Sequence, residues 1–183
     1  MTLIPTTMAK IMRQMKGTDV SVNTRKPIRL ENYDYGQNGA YFITVCVKDR
    51  APILSKLRRG EHCSPEKTGD VCTELTDVGM IVDRAIRAIS AHYADVSVDH
   101  YVVMPDHIHL LLRMDRQSGR AMLAPTAISE IIRQLKGSVT KQCGKAIWQK
   151  SFYDHVIRCE QDYLETWRYI DENPARRMEK QEI

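Results

Sequence analysis

The sequence predicts an α+β sandwich of the split βαβ type, in which one antiparallel sheet carries helices on one face. Three observations support this fold class. The predicted elements run strand, helix, strand, strand, helix, strand along the chain; two long segments have apolar residues at helical spacing; and two apolar strands meet at a short turn. A chain of 183 residues is long enough for one domain with a hydrophobic core and short for two.

The first half of the predicted fold contains a strand, a polar connection, a helix and a strand pair. Aromatic and β-branched residues over 41–48 predict the first strand. Residues 53–73 are polar with Gly and Pro, and predict a hairpin or an irregular loop. A helix begins near Thr76, because one broad face collects apolar residues at helical spacing: Val78, Ile81, Val82, Ala85, Ile86, Ile89 and Tyr93. Residues 95–104 and 107–114 form the strand pair.

The second half adds two helices and an extended segment. Residues 126–142 predict an amphipathic helix with Ile128, Ile131, Ile132, Leu135 and Val139 facing inward. Residues 146–157 predict a short strand or extended piece. The last helix begins near Glu160 and is predicted to stop at Asn173, because the residue before a proline is pushed out of the α region. This helix is left over from the split βαβ core, and we expect it to lie across the other face of the sheet.

Composition and chain organisation predict one globular domain with an anionic partner. Residues 1–24 are expected to form an N-terminal tail, with a short helix over residues 8–15, and residues 25–183 a single domain. Hydrophobic residues make up 43% and charged residues 27% of the chain, as in ordinary globular proteins. The formal net charge of +4 and the pI of about 8.8 favour an anionic partner.

The cysteines and the apolar runs predict a cytoplasmic protein with no membrane partner. Five cysteines, without a C-x-x-C spacing, predict free thiols in a reducing compartment. The N-terminus lacks the continuous apolar core and the cleavage site of a signal peptide. The longest apolar runs are too short to span a membrane.

Two histidines in the run YVVMPDHIHLLLRM carry the first functional signal. His107 and His109 follow the turn at Pro105 and Asp106, and the side chains of residues two apart on a strand project to the same face. Two neighbouring neutral imidazoles can chelate a divalent cation. The alternative is a pair of ordinary packed histidines. The position beside a turn, in an otherwise apolar run, favours metal binding.

The last predicted helix supplies the second signal. Its apolar stripe consists of Tyr163, Leu164, Trp167 and Ile170. At ~100° per residue, Tyr169 lies roughly 120–140° from the centre of that stripe, so it is poorly placed as a core aromatic. Asn173 is four residues further along and projects beside Tyr169. The alternative is a surface tyrosine followed by a C-terminal asparagine.

The two signals together predict a site for phosphate chemistry. Two imidazoles and an amide oxygen would form a facial site with open positions, where a cation can polarise a phosphate oxygen. A tyrosine hydroxyl, whose free pKa is near 10, becomes a useful nucleophile when a cation stabilises the phenolate. The covalent product would be a phosphotyrosine, which stores the phosphodiester energy for a later transfer.

Three blocks of the sequence resemble the single-tyrosine HUH transposases, and most of all the REP-associated tyrosine transposases of bacteria. The blocks are PDHIH at 105–109, IWQKSFYDHVIR at 147–158 and WRYIDENPAR at 167–176, and the similarity extends from about residue 25 to residue 176. All three blocks in this order are specific to these transposases. The resemblance implies a ferredoxin-like fold, which agrees with the pattern of elements, and a catalytic domain over residues 25–183.

The resemblance also implies a reaction and its residues. His107 and His109 match the pair that binds Mg²⁺ or Mn²⁺, and Asn173 matches the polar third ligand. Tyr169 matches the tyrosine that attacks a phosphate of single-stranded DNA, leaving a 5′-phosphotyrosine and a free 3′-hydroxyl. Some relatives are dimers that exchange the tyrosine helix, whereas REP-associated ones can act as monomers, so a monomer and a homodimer are both open.

Two further residues of the middle block compete for roles in this site. Tyr153 is a second candidate nucleophile, although an aromatic beside Phe152 and Val156 in an extended segment is more often a packing residue. His155 is a further candidate ligand, with a satisfied, half-buried histidine as the alternative.

Basic and aromatic residues near the predicted site are candidates for DNA contacts. Phosphate contacts are expected from Arg133, Lys136, Lys150 and Arg158, which we expect to cluster around the site. Trp148, with Phe152 and Tyr153, could stack on bases of a single strand or a hairpin. The alternatives are a solvated helix face for the basic residues and a core position for Trp148.

The sequence therefore predicts a metal-dependent endonuclease and strand transferase that acts on single-stranded or hairpin DNA. Two other functions remain open. One is a domesticated protein that holds DNA hairpins without cutting them. The other is a metal phosphoesterase that uses activated water, in which Tyr169 would have no chemical role.

Overall fold

A four-stranded antiparallel sheet lies at the centre of the computed structural model, which describes residues 37–59, 71–115 and 128–180. Its strands are β1 (Gly39–Cys46), β4 (Val96–Val103), β5 (His107–Met114) and β6 (Tyr153–Ile157), in the spatial order β4-β5-β1-β6. Two shorter strands, β2 (Ser55–Arg59) and β3 (Val71–Leu75), form a separate antiparallel pair. The two central strands of the sheet, β5 and β1, are therefore distant in sequence, as the split βαβ arrangement requires.

Three α-helices and one 3₁₀ turn complete the described chain. The turn is Lys48–Arg50, and the helices are α1 (Asp77–His92), α2 (Ile128–Cys143) and α3 (Glu160–Glu179). Helix α1 begins after Thr76, whose hydroxyl accepts a hydrogen bond from the amide of Gly79 at 3.1 Å and so satisfies one of the free amides of the first turn.

The hydrophobic core lies between one face of the sheet and helices α1 and α2. Alternate residues of β5, namely Ile108, Leu110 and Leu112, are fully buried against this helical layer. Because successive side chains of a strand point to opposite faces, His107 and His109 are on the other face. Helix α3 covers that second face and contacts β4, β5 and β6. The predicted fold class and the predicted place of the last helix are both confirmed.

Most predicted elements appear with boundaries that differ by a few residues. The predicted first helix, the strand pair and the second helix are present, and residues 53–73 include all of β2 and the first three residues of β3. The extended piece predicted over 146–157 is a strand only from Tyr153, although Trp148 forms an isolated bridge with Val47. The predicted tail over residues 1–24, with its short helix, lies outside the described residues.

The predicted end of the last helix at Asn173 is wrong. Helix α3 continues through Pro174 to Glu179. A proline inside a helix removes one hydrogen bond to the carbonyl four residues earlier and crowds that turn. Here Pro174 is buried, and an ion pair between Glu172 and Arg176 spans it on the helix surface. Packing against the sheet outweighs the local preference, and the helix gains one and a half turns.

The cysteines depart from expectation at one position. Cys46, Cys143 and Cys159 are free thiols, as predicted, but Cys72 is disulfide-bonded, so the expectation of free thiols throughout is wrong. Spacing alone could not reveal a pair, because the sequence has no C-x-x-C signature. Among the described residues, no helix combines the length and the apolar content that crossing a bilayer would require.

Two helical glycines give opposite predictions for the same substitution. A Cβ atom on Gly79 of α1 would lie 1.9 Å from the carbonyl oxygen of Leu54, whereas one on Gly137 of α2 would have nothing within 4 Å. We expect Gly79→Ala to destabilise the protein by about 1–3 kcal/mol, because backbone must shift. We expect Gly137→Ala to stabilise it by about 0.5–1 kcal/mol through the higher helix propensity of alanine.

Denaturant unfolding of both variants and of the unsubstituted protein checks this pair. Equal effects of the two alanines would contradict the close approach of α1 to Leu54.

Candidate active site

The turn between β4 and β5 is held from three sides by main-chain hydrogen bonds. The carbonyl of Pro105 accepts from the amide of Leu54 at 3.0 Å, and the carbonyl of Asp106 accepts from the amide of Val47 at 2.9 Å. The amide of Met104 donates across the turn to the carbonyl of His107 at 2.9 Å. These bonds fix the backbone from which the two histidines project.

The two histidines point toward each other on the sheet face that α3 covers. Nε2 of His107 lies 3.0 Å from Nε2 of His109, and the two residues are only 6% and 5% exposed. Nδ1 of His107 lies 2.7 Å from the Asp106 carboxylate, and Nδ1 of His109 lies 2.9 Å from the hydroxyl of Thr44. Each ring is thus held at Nδ1 and presents Nε2 to its neighbour.

The hydrogen-bond partners determine which imidazole nitrogens can bind a cation. A carboxylate only accepts, so His107 carries a proton on Nδ1, and in its neutral form it has a lone pair at Nε2. Thr44 can accept from Nδ1 of His109, which leaves a lone pair at that Nε2 also. Burial, followed by positive neighbours including Arg50, lowers the pKa of His109 well below its usual value. His109 is therefore neutral at physiological pH, as a metal ligand must be.

This geometry fits a divalent cation. In an octahedral site, two neighbouring nitrogen ligands each lie about 2.1 Å from the cation and therefore about 3.0 Å from each other. The two Nε2 atoms are 3.0 Å apart, which matches this separation. In the described part of the chain, no group of three His, Cys, Asp or Glu side chains could hold a metal. Asn173, whose side-chain oxygen could bind a cation, is the candidate for a third protein ligand.

Tyr169 lies against the histidines. Its ring is 5.4 Å from the ring of His109 and 5.8 Å from that of Phe42, both centroid to centroid. Burial raises the pKa of Tyr169, while a side-chain hydrogen bond from Asn173 and the charge of Arg176 act in the opposite direction. Asn173 is itself buried. Its amide can donate to the phenol oxygen while its carbonyl oxygen remains available to a cation.

Polar contacts hold α3 across the sheet. The hydroxyl of Tyr163 donates to the buried carboxylate of Asp99 at 2.8 Å. Burial and this hydrogen bond raise the pKa of Tyr163 to about 12, so the phenol is protonated over the neutral range. His100 on β4 stacks on the ring of Trp167, with ring centroids 4.3 Å apart and planes 6° from parallel, and bonds Asp171 at 2.7 Å.

The family model described as "Transposase IS200 like" matches residues 37–173 of this chain. The chain belongs to the IS200-like transposase family. The match includes both histidines, Tyr169 and Asn173, and ends at Asn173, so the last part of α3 lies beyond it.

Relatives of this transposase-family chain include REP-associated tyrosine transposases. An Escherichia coli protein of that name is 31% identical over 80 residues, which cover 43% of this chain and 44% of the relative. A Haemophilus influenzae protein, provisionally given the same name, is 26% identical over 157 residues, or 80% of this chain and 77% of the relative. A solved REP-associated tyrosine transposase bound to a REP hairpin has the same fold, with a TM-score of 0.53 and 23% identity over 81% of this chain and 74% of that one.

The buried face of the tyrosine helix is centred differently from the prediction. Leu164, expected in the packing stripe, is 56% exposed. Ile170 of the predicted stripe is buried, and Thr166 and Asn173, which are outside that stripe, are buried as well. Tyr169 lies next to Ile170 on the helix. The prediction that Tyr169 is off the packing side is therefore wrong, because the sheet has polar and aromatic residues on this face, and the helix turns a mixed face toward them.

The second candidate phenol shares the face of the histidines but lies further away. Tyr153 pairs with Thr44 on β1, which in turn pairs with His109 on β5, so all three side chains project from the same face. Tyr153 is thus two strands from His109, or roughly 10 Å, and it is 44% exposed. His155 bonds the carboxylate of Asp162 at 2.9 Å, which agrees with the satisfied-histidine alternative.

The basic residues predicted to cluster around the site do so only in part. Four of the predicted contact residues, Arg133, Lys136, Trp148 and Lys150, line one groove of about 410 Å³ beside α2. Helix α2 covers the sheet face opposite the histidines, so the predicted place of Arg133 and Lys136 is wrong. The ammonium group of Lys136 donates to three carbonyls of residues 149–151. Trp148 is 8% exposed and packs in the core, whereas Lys150 and Arg158 are exposed.

Sequence reasoning missed the residues that surround the histidines. The sequence patterns predict Asp106 only as part of a turn and Thr44 only as part of a strand, yet each holds one imidazole. A carboxylate directly before the first histidine was a signal that could have been used for Asp106. Arg50 and Arg177, which both approach Asp106, had no signal in the sequence.

The anchoring of α3 by Tyr163 leads to a stability prediction. Tyr163→Phe removes a hydrogen bond to a buried carboxylate, and we expect the free energy of unfolding to fall by about 1 kcal/mol. The loss should stay moderate because Asp99 keeps Ser97 and Arg113 as partners. Faster hydrogen exchange of the α3 amides should accompany it. The control is Leu164→Ala at the neighbouring exposed position, which should change the free energy of unfolding by no more than about 0.5 kcal/mol. Equal stability of the two variants would contradict a stabilising role of the Tyr163–Asp99 hydrogen bond.

Proposed function

We propose that this protein is a metal-dependent endonuclease and strand transferase that cuts single-stranded DNA at or near hairpins. Tyr169 is the nucleophile, and the product is a 5′-phosphotyrosine. The observation that carries the proposal is the packing of the Tyr169 ring 5.4 Å from the ring of His109, within one chain. Membership of the IS200-like transposase family supports the same reaction class.

The proposed reaction is a transesterification at phosphorus. The hydroxyl oxygen of Tyr169 forms a bond to the phosphorus, the bond from phosphorus to the 3′ oxygen breaks, and the phenolic proton is lost while the 3′ oxygen gains one. Because burial raises the pKa of Tyr169, the phenol is protonated at neutral pH and needs help to ionise. The hydrogen bond from Asn173 and the charge of Arg176 both favour the phenolate. Attack of the 3′-hydroxyl of another strand on the phosphotyrosine would reverse these steps and join the strands.

His107, His109 and Asn173 would hold Mg²⁺ or Mn²⁺ in this proposal. Such a cation stabilises negative charge on a phosphate oxygen and on a phenolate. Asp106 and Thr44 orient the imidazoles, and residues that orient ligands in this way contribute strongly to metal affinity.

The DNA partner is proposed from the relatives and from the charge of the chain. A structural relative was solved with a REP hairpin, and this chain carries a net charge of +4. Lys150 and Arg158 are exposed and remain candidates for phosphate contacts. Because the nucleophile and both histidines come together within one chain, a monomer can form the whole site.

Substitution of the two tyrosines distinguishes the candidate nucleophiles and functions. With Mn²⁺ and labelled hairpin DNA from palindromes near the gene, we expect a protein-linked DNA band that Tyr169→Phe abolishes, because the phenyl ring has no nucleophilic oxygen. Tyr153→Phe, the matched control, should retain most activity. Denaturing gel electrophoresis measures both.

Other outcomes support the competing functions. Loss of cleavage in Tyr153→Phe, together with normal cleavage in Tyr169→Phe, would show that Tyr153 is the nucleophile. Cleavage that survives both changes would indicate a phosphoesterase that uses water, and binding without any cleavage would indicate a hairpin-binding protein.

Loss of a metal ligand should separate cleavage from binding. We expect His107→Ala to abolish cleavage and to lower the affinity for Mn²⁺ by at least 10–100-fold, the range known for loss of a supporting residue alone. Hairpin affinity should change little, because phosphate contacts dominate it. Calorimetric Mn²⁺ titration and a DNA-binding assay measure the two quantities. Normal cleavage by His107→Ala would contradict the ligand assignment.

A further inference from the structure

Two arginines from distant parts of the chain converge on the carboxylate that holds His107. The Oδ2 atom of Asp106 lies 3.5 Å from a guanidinium nitrogen of Arg50 and 3.5 Å from one of Arg177. Its other oxygen, Oδ1, is 2.7 Å from Nδ1 of His107. Arg50 ends the 3₁₀ turn after β1, and Arg177 lies on α3 two turns beyond Tyr169.

One carboxylate oxygen cannot satisfy two guanidinium groups. Each guanidinium has five N–H donors, and a contact of 3.5 Å is at the long limit of a hydrogen bond. Asp106 is 5% exposed at its side chain, whereas Arg50 and Arg177 are 44% and 38% exposed. In the described ranges, Asp106 is the one ion-pair partner of either arginine. Both therefore retain free donors at the solvent side of the site.

The charges around Asp106 do not cancel. The two guanidinium groups carry two positive charges, and the Asp106 carboxylate carries one negative charge. His107 adds no charge when it binds a cation, because only its neutral form can do so. One net positive charge therefore remains beside the candidate cation site, where an anion would be attracted.

The backbone at Arg50 also points to a functional role. Asp49 and Arg50 both have φ of 54°, two successive residues other than glycine in the left-handed region. Such conformations are costly and cluster where function requires a particular placement. Main-chain hydrogen bonds from Arg50 to Val47 and from Lys48 to Ile147 hold the turn in this conformation.

We propose that Arg50 and Arg177 bind the non-bridging oxygens of a DNA phosphate at the cut site. This inference rests on the proposed function, since DNA is the ligand. Planar guanidinium groups bind phosphate oxygens in pairs, and the two long contacts to Asp106 are weak enough to be exchanged for them. Arg177 extends from the same helix as Tyr169, so it places the bound phosphate relative to the nucleophile.

Salt-dependent DNA binding tests the phosphate contacts without cleavage. A fluorescent single-stranded oligonucleotide is titrated with Tyr169→Phe protein, alone and combined with Arg50→Gln or Arg177→Gln, over a range of salt concentrations. Each arginine substitution should weaken binding and reduce the slope of log affinity against log salt by about 0.7, the value for one phosphate contact to a single strand. Arg87→Gln, an exposed arginine paired with Asp83 on α1, is the matched control and should leave the slope unchanged.

Mn²⁺ binding without DNA separates this role from a structural one. If the arginines only hold Asp106, their loss would lower Mn²⁺ affinity and leave the salt slope unchanged, which would overturn the proposal. Unchanged Mn²⁺ affinity with a reduced slope supports it. The Arg50→Lys variant should keep the slope of log affinity against log salt, because the positive charge remains. It should bind DNA more weakly than the protein with Arg50, because lysine lacks the planar guanidinium group. The cleavage assay tests the proposed function separately. A protein-linked DNA band that remains in Tyr169→Phe would contradict the proposed nucleophile without bearing on the arginines.

Discussion

The packing of helix α3 against the histidine-bearing face of the sheet is the contact on which the candidate site depends. Alternation along β5 places Ile108 and Leu110 in the core and forces His107 and His109 to the opposite face. An uncovered face would leave the two imidazoles in water, as two separate side chains. Helix α3 buries them, brings Tyr169 to 5.4 Å from His109, and adds the amide of Asn173. The proposed metal ligands and the proposed nucleophile thus come from two elements that are distant in sequence and meet in one chain.

Local patterns were sufficient to predict the fold and to select the two groups of residues that meet in the candidate site. The strand and helix periods follow from which residues must face the core, and this information is spread over many positions of each element. The same alternation places His107 and His109 on one face. Helical spacing puts Tyr169 beside Asn173, and the hydrogen bond between them agrees with it.

Tertiary packing decided what local patterns could not. Pro174 should end a helix on local grounds, but its burial against the sheet lets α3 continue and carry Arg177 to Asp106. Which layer receives a helix is also not a local property, so Arg133 was predicted near the histidines although α2 covers the other face. Asp106 and its two arginines are joined only by folding, since Arg50 is 56 residues away from it in sequence.

The proposed nucleophile can be tested by identifying the residue that becomes linked to DNA. Trypsin would release Tyr169 in the peptide YIDENPAR (169–176) and Tyr153 in the peptide SFYDHVIR (151–158), because a lysine or arginine precedes each of them and an arginine ends each. Mass spectrometry of the trapped, nuclease-trimmed adduct distinguishes these peptides. We predict that the nucleotide is on Tyr169. A nucleotide on Tyr153, or on any residue outside α3, would contradict it.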